Sequence, residues 1–231
     1  MRARDTLLFD LDGTLTDTDA LHIRAYRLLL HPFGKTVTEE IYKTKIMGAA
    51  NEAIMSWMFP DEPVERHRTL ANEKERLFRS LADRMQPLVG LTELLAWAEA
   101  NDIKTAVVTN APRANAELML KALDLADRFP VLVLGDELAR GKPDPLPYLT
   151  ALDRLGARAD AALAFEDSRS GVQAAHAAGI ETIGILTGLD ADALRASGAA
   201  ATIRDYADPW LRAKLDREFA VSPSLASRSS D

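Results

Sequence analysis

Asp10 and Asp12 stand two residues apart in Phe9-Asp10-Leu11-Asp12-Gly13-Thr14-Leu15-Thr16-Asp17, directly after the apolar run Thr6-Leu7-Leu8-Phe9. Residues i and i+2 of an extended segment face the same side. Two carboxylates therefore converge at the carboxyl end of a buried strand, where open α/β sheets bind ligands. Gly13 and Thr14 suit a tight turn out of the sheet. One carboxylate of such a pair can act as a nucleophile and the other as a proton donor. Chance gives an Asp-x-Asp-Gly-Thr string about once in a thousand chains of this length at average residue usage.

Three further clusters follow strand-like runs. Thr109-Asn110 ends Ala106-Val107-Val108; a hydroxyl, an amide and the N–H groups of a following helix can hold a phosphate oxygen, although Thr-Asn is more often an ordinary strand exit. Gly141-Lys142-Pro143-Asp144-Pro145 sets one lysine in a loop stiffened by its prolines. Glu166 and Asp167 close Ala161-Ala162-Leu163-Ala164-Phe165, and paired acids at the end of an apolar strand call for something positive beside them. Carboxylates from two strand ends, with water and substrate oxygens, suit the all-oxygen shell of Mg2+.

Composition narrows the partners. The chain has 231 residues, 47% hydrophobic and 27% charged, with a net charge of −7, an ordinary globular composition. The acidic balance and the lack of a basic run disfavour nucleic acid, whose affinity depends on neutralised phosphates. Without cysteine there is no disulfide or thiolate metal site. His22, His31, His67 and His176 show no short metal-ligand spacing. No apolar run approaches the ~20 residues of a membrane span, and the first strand begins too early for a signal peptide. The expected setting is cytoplasmic, without membrane contact; no oligomeric state is assigned.

The elements that must position these groups alternate. Apolar, β-branched runs at 7–9, 104–109, 131–134, 161–165 and 182–186 are separated by helical periodicities at 91–100, 114–123, 146–155 and 171–178. That order predicts a parallel sheet covered on both faces. Pro112 and Pro145 fit first helical turns, and Gly156 and Gly179 fit helix ends. Residues 17–85 carry only helical signatures: one helix from Thr18-Asp19 to Leu29, short ones begun by Thr38 and Asn51, and a long charged one from Pro63. A βα crossover needs far fewer residues. The expectation is an α/β core formed by 1–16 and 87–220, a helical insertion at 17–86 entered and left through 16–18 and 86–90, and a disordered Ser-rich tail at 221–231.

In order, Asp10-x-Asp12-Gly13-Thr14-Leu15-x-Asp17, Thr109-Asn110, Lys142-Pro143 and Glu166-Asp167-Ser168 resemble the four motifs of the haloacid dehalogenase superfamily. The insertion resembles the α-helical cap of the subgroup containing phosphoglycolate phosphatase and β-phosphoglucomutase. The resemblance implies a Rossmann-like, doubly wound parallel sheet and a Mg2+-dependent phosphatase acting on a small phosphorylated metabolite, phosphoglycolate or a sugar phosphate. It implies that Asp10 attacks phosphorus to form an aspartyl-phosphate and that Asp12 is the acid and base. Asp10, the main-chain carbonyl of Asp12 and Asp167 would hold Mg2+, with Glu166 nearby. Thr109, Asn110 and Lys142 would bind the phosphoryl group, with Gly48, Asn51 and His22 facing substrate from the cap.

Other readings are weaker. Dehalogenases of the superfamily lack the second acid, present here as Asp12. Phosphonoacetaldehyde hydrolases carry a Schiff-base lysine where this chain has Asn51. β-Phosphoglucomutase, the alternative phosphotransferase, has cap cations that fall on Met47 and Asn51. His22 reads as a helix residue near the hinge. A non-catalytic binding protein on the same scaffold would be favoured by damage to any of the four clusters, and none is damaged.

Overall fold

The computed structural model describes residues 4–82 and 85–219. Its sheet follows from a two-residue alternation of apolar side chains. In β1 (Thr6–Phe9) Leu7 and Phe9 pack on one side and Leu8 on the other. In β2 (Lys104–Thr109) Val107 opposes Ala106 and Val108. With β3 (Val131–Leu134), β4 (Ala162–Glu166), β5 (Glu181–Ile185) and β6 (Ala201–Ile203), the parallel strands run in the order β3-β2-β1-β4-β5-β6. The order reverses between β1 and β4, which opens a crevice at their carboxyl ends. Phe9 pairs with Phe165 across that boundary, so Asp10 leaves the sheet level with Glu166. Beneath them Phe9 stacks on Phe165 with ring centroids 5.1 Å apart, and each such buried ring contributes about 1.5–3 kcal/mol.

Between β1 and β2 lie α1 (Asp19–Leu30), α2 (Glu39–Ile41) continuing into a π-helical turn Tyr42–Ile46, α3 (Asn51–Met58) and α4 (Val64–Leu81). Ile23, Tyr26, Ile54, Met55 and Leu70 bury against one another in a cluster separate from those on the sheet. The Thr38 hydroxyl caps α2 by accepting from the Ile41 N–H. Asn51 differs from expectation: it is the first residue of α3, not its cap, and its amide reaches α4 instead. The chain entering these helices and the chain leaving them lie side by side, Leu88 N donating to Leu15 O at 2.9 Å.

The sheet is covered by α5 (Leu91–Ala100) and α6 (Arg113–Ala122) on the Phe9 side and by α7 (Leu146–Leu155) and α8 (Arg169–Ala177) on the other. Gly156 ends α7 at φ +57, a conformation glycine adopts without steric penalty. Two strands are displaced by one residue from the expected 161–165 and 182–186. The sequence reading also missed β6, α9 (Ala191–Ala196) and α10 (Pro209–Glu218). The tail expected to be disordered, 221–231, lies outside the described residues. Among the described residues no helix is long and apolar enough to cross a membrane.

Candidate active site

The crevice above β1 and β4 gathers the four clusters. Asp10 follows β1 directly and its backbone N–H donates to Phe165 O, which pins the strand exit. Lys142 Nζ lies 2.6 Å from Asp10 Oδ1 and 2.5 Å from Glu166 Oε1, with all three side chains buried. The Tyr148 hydroxyl, from α7, donates to the same Glu166 oxygen at 2.6 Å. Asn110 holds the lysine loop from the end of β2: its Oδ1 accepts from Lys142 N at 2.9 Å and its Nδ2 donates to Lys142 O at 3.1 Å. The Asn110 side chain thus positions Lys142. Thr109, also buried, accepts from the Ala111 N–H at 3.0 Å and keeps its hydroxyl proton to donate.

Asp10, Glu166 and Asp167 bring carboxylate oxygens within 4.8 Å of one another. Burial pushes the Asp10 carboxyl up to about 8 against the pull of Lys142, and the charge of Glu166 adds to the rise. Burial, then Asp10 and Glu166, pushes Asp167 well above the carboxylate range. One ammonium faces three buried carboxylates, and hard oxygen donors with an excess negative charge are the donor set of a divalent cation such as Mg2+. Gly13, at φ +73, gives this corner its room: a Cβ there would collide with the Asp167 carboxylate.

Asp12 turns toward the helices. Its Oδ1 accepts from Thr18 Oγ1 at 2.8 Å and pairs with His22 Nε2 at 2.9 Å. Lys74 Nζ, on α4, lies 2.8 Å from His22 Nδ1. An ammonium only donates, so Nδ1 accepts and the His22 proton sits on Nε2, directed at Asp12. Burial raises the Asp12 carboxyl, but the hydrogen bonds from His22 and Thr18, with the charge of Lys74 behind them, outweigh it, and the net shift is downward. His22 is therefore a direct partner of Asp12, beyond the hinge position expected of it.

The same cavity is lined by Gly48, Asn51, Tyr26, Glu75 and Asn115. Gly48 touches both layers: its carbonyl accepts from Ser170 Oγ at 2.6 Å and from Asn110 Nδ2 at 3.4 Å. Glu75 accepts from Asn51 at 2.9 Å, Lys74 at 3.0 Å and Asn115 at 2.6 Å. Sequence reasoning missed Tyr26, Lys74, Glu75, Asn115 and Tyr148. A signal existed for two of them: Lys74 and Glu75 occupy the stripe of α4 that buries Leu70, Ala71 and Phe78, where charges need partners.

Comparison with known proteins adds a common background. The sequence pattern of the haloacid dehalogenase-like hydrolases matches residues 7–185. A phosphorylated carbohydrates phosphatase from Thermotoga maritima is 36% identical over 206 residues, covering 87% of this chain and 94% of that protein. A phosphoglycolate phosphatase from Rhodospirillum rubrum is 32% identical over 221 residues, covering 89% and 90%. The crystal structure of CbbY from Rhodobacter sphaeroides in complex with phosphate superposes with a TM-score of 0.79 at 26% identity, covering 92% of this chain and 99% of that one.

Proposed function

The chain belongs to the haloacid dehalogenase-like hydrolase family, and from that premise we propose that it is a Mg2+-dependent phosphatase of small organic phosphomonoesters, working through an aspartyl-phosphate on Asp10. The observation that carries this reading is the placement of Lys142 between Asp10 and Glu166 beside a third buried acid. The named activities of the Thermotoga and Rhodospirillum relatives support it. We take the helices of 17–86 as a cap over the 1–16 and 87–220 core, opening to admit substrate and closing to exclude water.

Asp10, the main-chain carbonyl of Asp12 and Asp167 would hold the cation. Glu166 belongs beside them, although its Oε1 is already engaged by Lys142 and Tyr148. The bound cation would neutralise phosphoryl charge. Lys142 and Thr109 hold phosphoryl oxygens, and Lys142 lessens the repulsion between the Asp10 carboxylate and the anionic ester. An Asp10 oxygen forms a bond to phosphorus as the ester P–O bond breaks, and the leaving oxygen takes a proton from Asp12. A bound phosphate is a like charge that pushes the Asp12 carboxyl up, so Asp12 gains its proton as substrate enters. The resulting Asp12 carboxylate, held by His22 and Thr18, takes a proton from water as that water's oxygen attacks phosphorus. Phosphate leaves and Asp10 is restored.

Transfer to a second phosphorylated substrate has less support, because Met47 and Asn51 bring no charge to the cavity wall. The test is hydrolysis of 4-nitrophenyl phosphate with and without Mg2+. Turnover with the ion and none for Asp10→Asn is expected. Equal turnover by Asp10→Asn contradicts the assignment.

A further inference from the structure

The wall of the cavity formed by α1, α3, α4 and α6 holds polar groups that the reaction at phosphorus leaves unused. We propose that Tyr26, Asn51, Glu75 and Asn115 form a leaving-group subsite that takes a neutral, hydroxyl-bearing group, a sugar or polyol, and excludes a second anion. The proposal rests on the phosphatase reading above and selects among its substrates.

Tyr26 is 1% exposed, lines the cavity, and its hydroxyl has no hydrogen-bond partner among the described residues. A buried hydroxyl left unsatisfied is unfavourable, and a ligand oxygen in the cavity would satisfy it. Burial pushes the Tyr26 phenol well above its usual range, and the negative charge of Glu75 adds to that, so the two groups share one electrostatic environment. Glu75 Oε1 is taken by Asn51 and Lys74, whereas Oε2 accepts, among the described residues, only from Asn115, and a carboxylate oxygen has room for a second donor. Arg79 donates to Asn115 Oδ1 at 2.7 Å and so turns the amide NH2 toward Glu75. The wall offers a donor from Tyr26 and an acceptor on Glu75, which suits hydroxyls because each both donates and accepts.

Charge argues against an anion at the same place. Lys74 is the cation on this wall, and it is already committed to His22 Nδ1 and Glu75 Oε1, with the Tyr26 ring beneath it at 4.8 Å. A carboxylate or second phosphate on the leaving group would face the Glu75 carboxylate with no uncommitted cation among the described residues that line the cavity, and unpaired like charge is an effective means of rejection.

The experiment uses the full chain with Mg2+ and compares kcat/KM for fructose 1-phosphate, glucose 6-phosphate and glycerol 1-phosphate with that for phosphoglycolate. 4-Nitrophenyl phosphate, which carries no hydroxyl on its leaving group, reports the chemistry alone. The best neutral substrate is expected to exceed phosphoglycolate by about 100-fold or more, within the range that hydrogen-bonding sites achieve. Tyr26→Phe is expected to lower kcat/KM for that substrate by roughly tenfold or more and to change 4-nitrophenyl phosphate turnover by less than about threefold; Glu75→Gln, whose carboxylate also holds Lys74, is expected to lower kcat/KM for that substrate by several-fold more than it lowers 4-nitrophenyl phosphate turnover. Tyr26→Phe should melt no lower than the parent, since the hydroxyl it removes has no partner among the described residues; Glu75→Gln should narrow the gap to phosphoglycolate. Phosphoglycolate as the better substrate, or equal losses on 4-nitrophenyl phosphate, would overturn the subsite. If 4-nitrophenyl phosphate is not hydrolysed at all, the phosphatase reading fails separately. Calorimetric binding of fructose 1-phosphate and phosphoglycolate to Asp10→Asn then decides the subsite, with equal affinities counting against it.

Discussion

Lys142 and Glu166 form a buried ion pair 2.5 Å apart, with Glu166 fully shielded from solvent. The same ammonium reaches Asp10 at 2.6 Å, so one charge holds two carboxylates at the carboxyl edge of the sheet. Lys142→Met leaves both acids without it. Breaking a buried pair from one side costs about 3–5 kcal/mol, and denaturant unfolding should show a loss of that order. Added Mg2+ should recover part of it, and phosphatase turnover should remain abolished.

Tyr148 acts through Glu166, not on substrate. Tyr148→Phe removes one of the hydrogen bonds to the Glu166 carboxylate and should destabilise the protein by about 1–3 kcal/mol. Lys142 then loses part of its positioning, and kcat should fall roughly 3–10-fold with KM little changed. Steady-state kinetics beside a denaturation curve checks both values.

The acidic trio makes a strong prediction about metal. Chelation should stop turnover and Mg2+ restore it. Asp10, Glu166 and Asp167 repel one another in the folded chain and are dispersed in the unfolded one, so the ion should also stabilise the fold, by about 2.7 kcal/mol at 100 times its dissociation constant. A melting temperature indifferent to Mg2+ would contradict this.

Glu75 links the inserted helices to the sheet layer by way of Asn115. Burial raises its carboxyl, but the charge of Lys74, with the hydrogen bonds from Asn51 and Lys74, brings it below the usual 4.5. The groups facing it are Lys74 on its own helix, His22 and Tyr26 from α1, Asn51 from α3 and Asn115 from α6, backed by Arg79. A depressed folded value means stability that is fully present above about 4.5 and is lost as pH falls through the folded value. Glu75→Gln should therefore melt below the parent at neutral pH, with the difference shrinking as pH falls below about 4.5. Melting curves across that range test it.

The sheet and much of the candidate site were legible because they are written locally. Apolar runs marked β1, β2 and β3; Asp10, Asp12 and Asp167 each sit within a short, unusual string just past a strand, and Lys142 lies in a Gly/Pro-bounded loop eight residues beyond β3. β6 has only three residues and α9 only six, while α10, as long as α5 at ten residues, is mostly polar and buries only Leu211, Lys214 and Leu215, so no apolar stripe stands out. The pairing of Asp12 with His22 and Lys74 spans residues ten and sixty-odd positions away, which no local pattern reveals. Glu75 was hidden differently: its partners come from α3 and α6, and a charged helix reads as solvated until its buried stripe is traced.

The proposed reaction turns on phosphorylation of Asp10. Rapid mixing of enzyme, Mg2+ and 4-nitrophenyl phosphate, followed by acid quench and peptide mass spectrometry, tests it most directly. A phosphoryl group on the peptide carrying Asp10, formed no more slowly than turnover and absent from Asp10→Asn, is the predicted result. Turnover with no phosphorylated peptide at any time point, or with the label on another residue, would rule out Asp10 as the nucleophile.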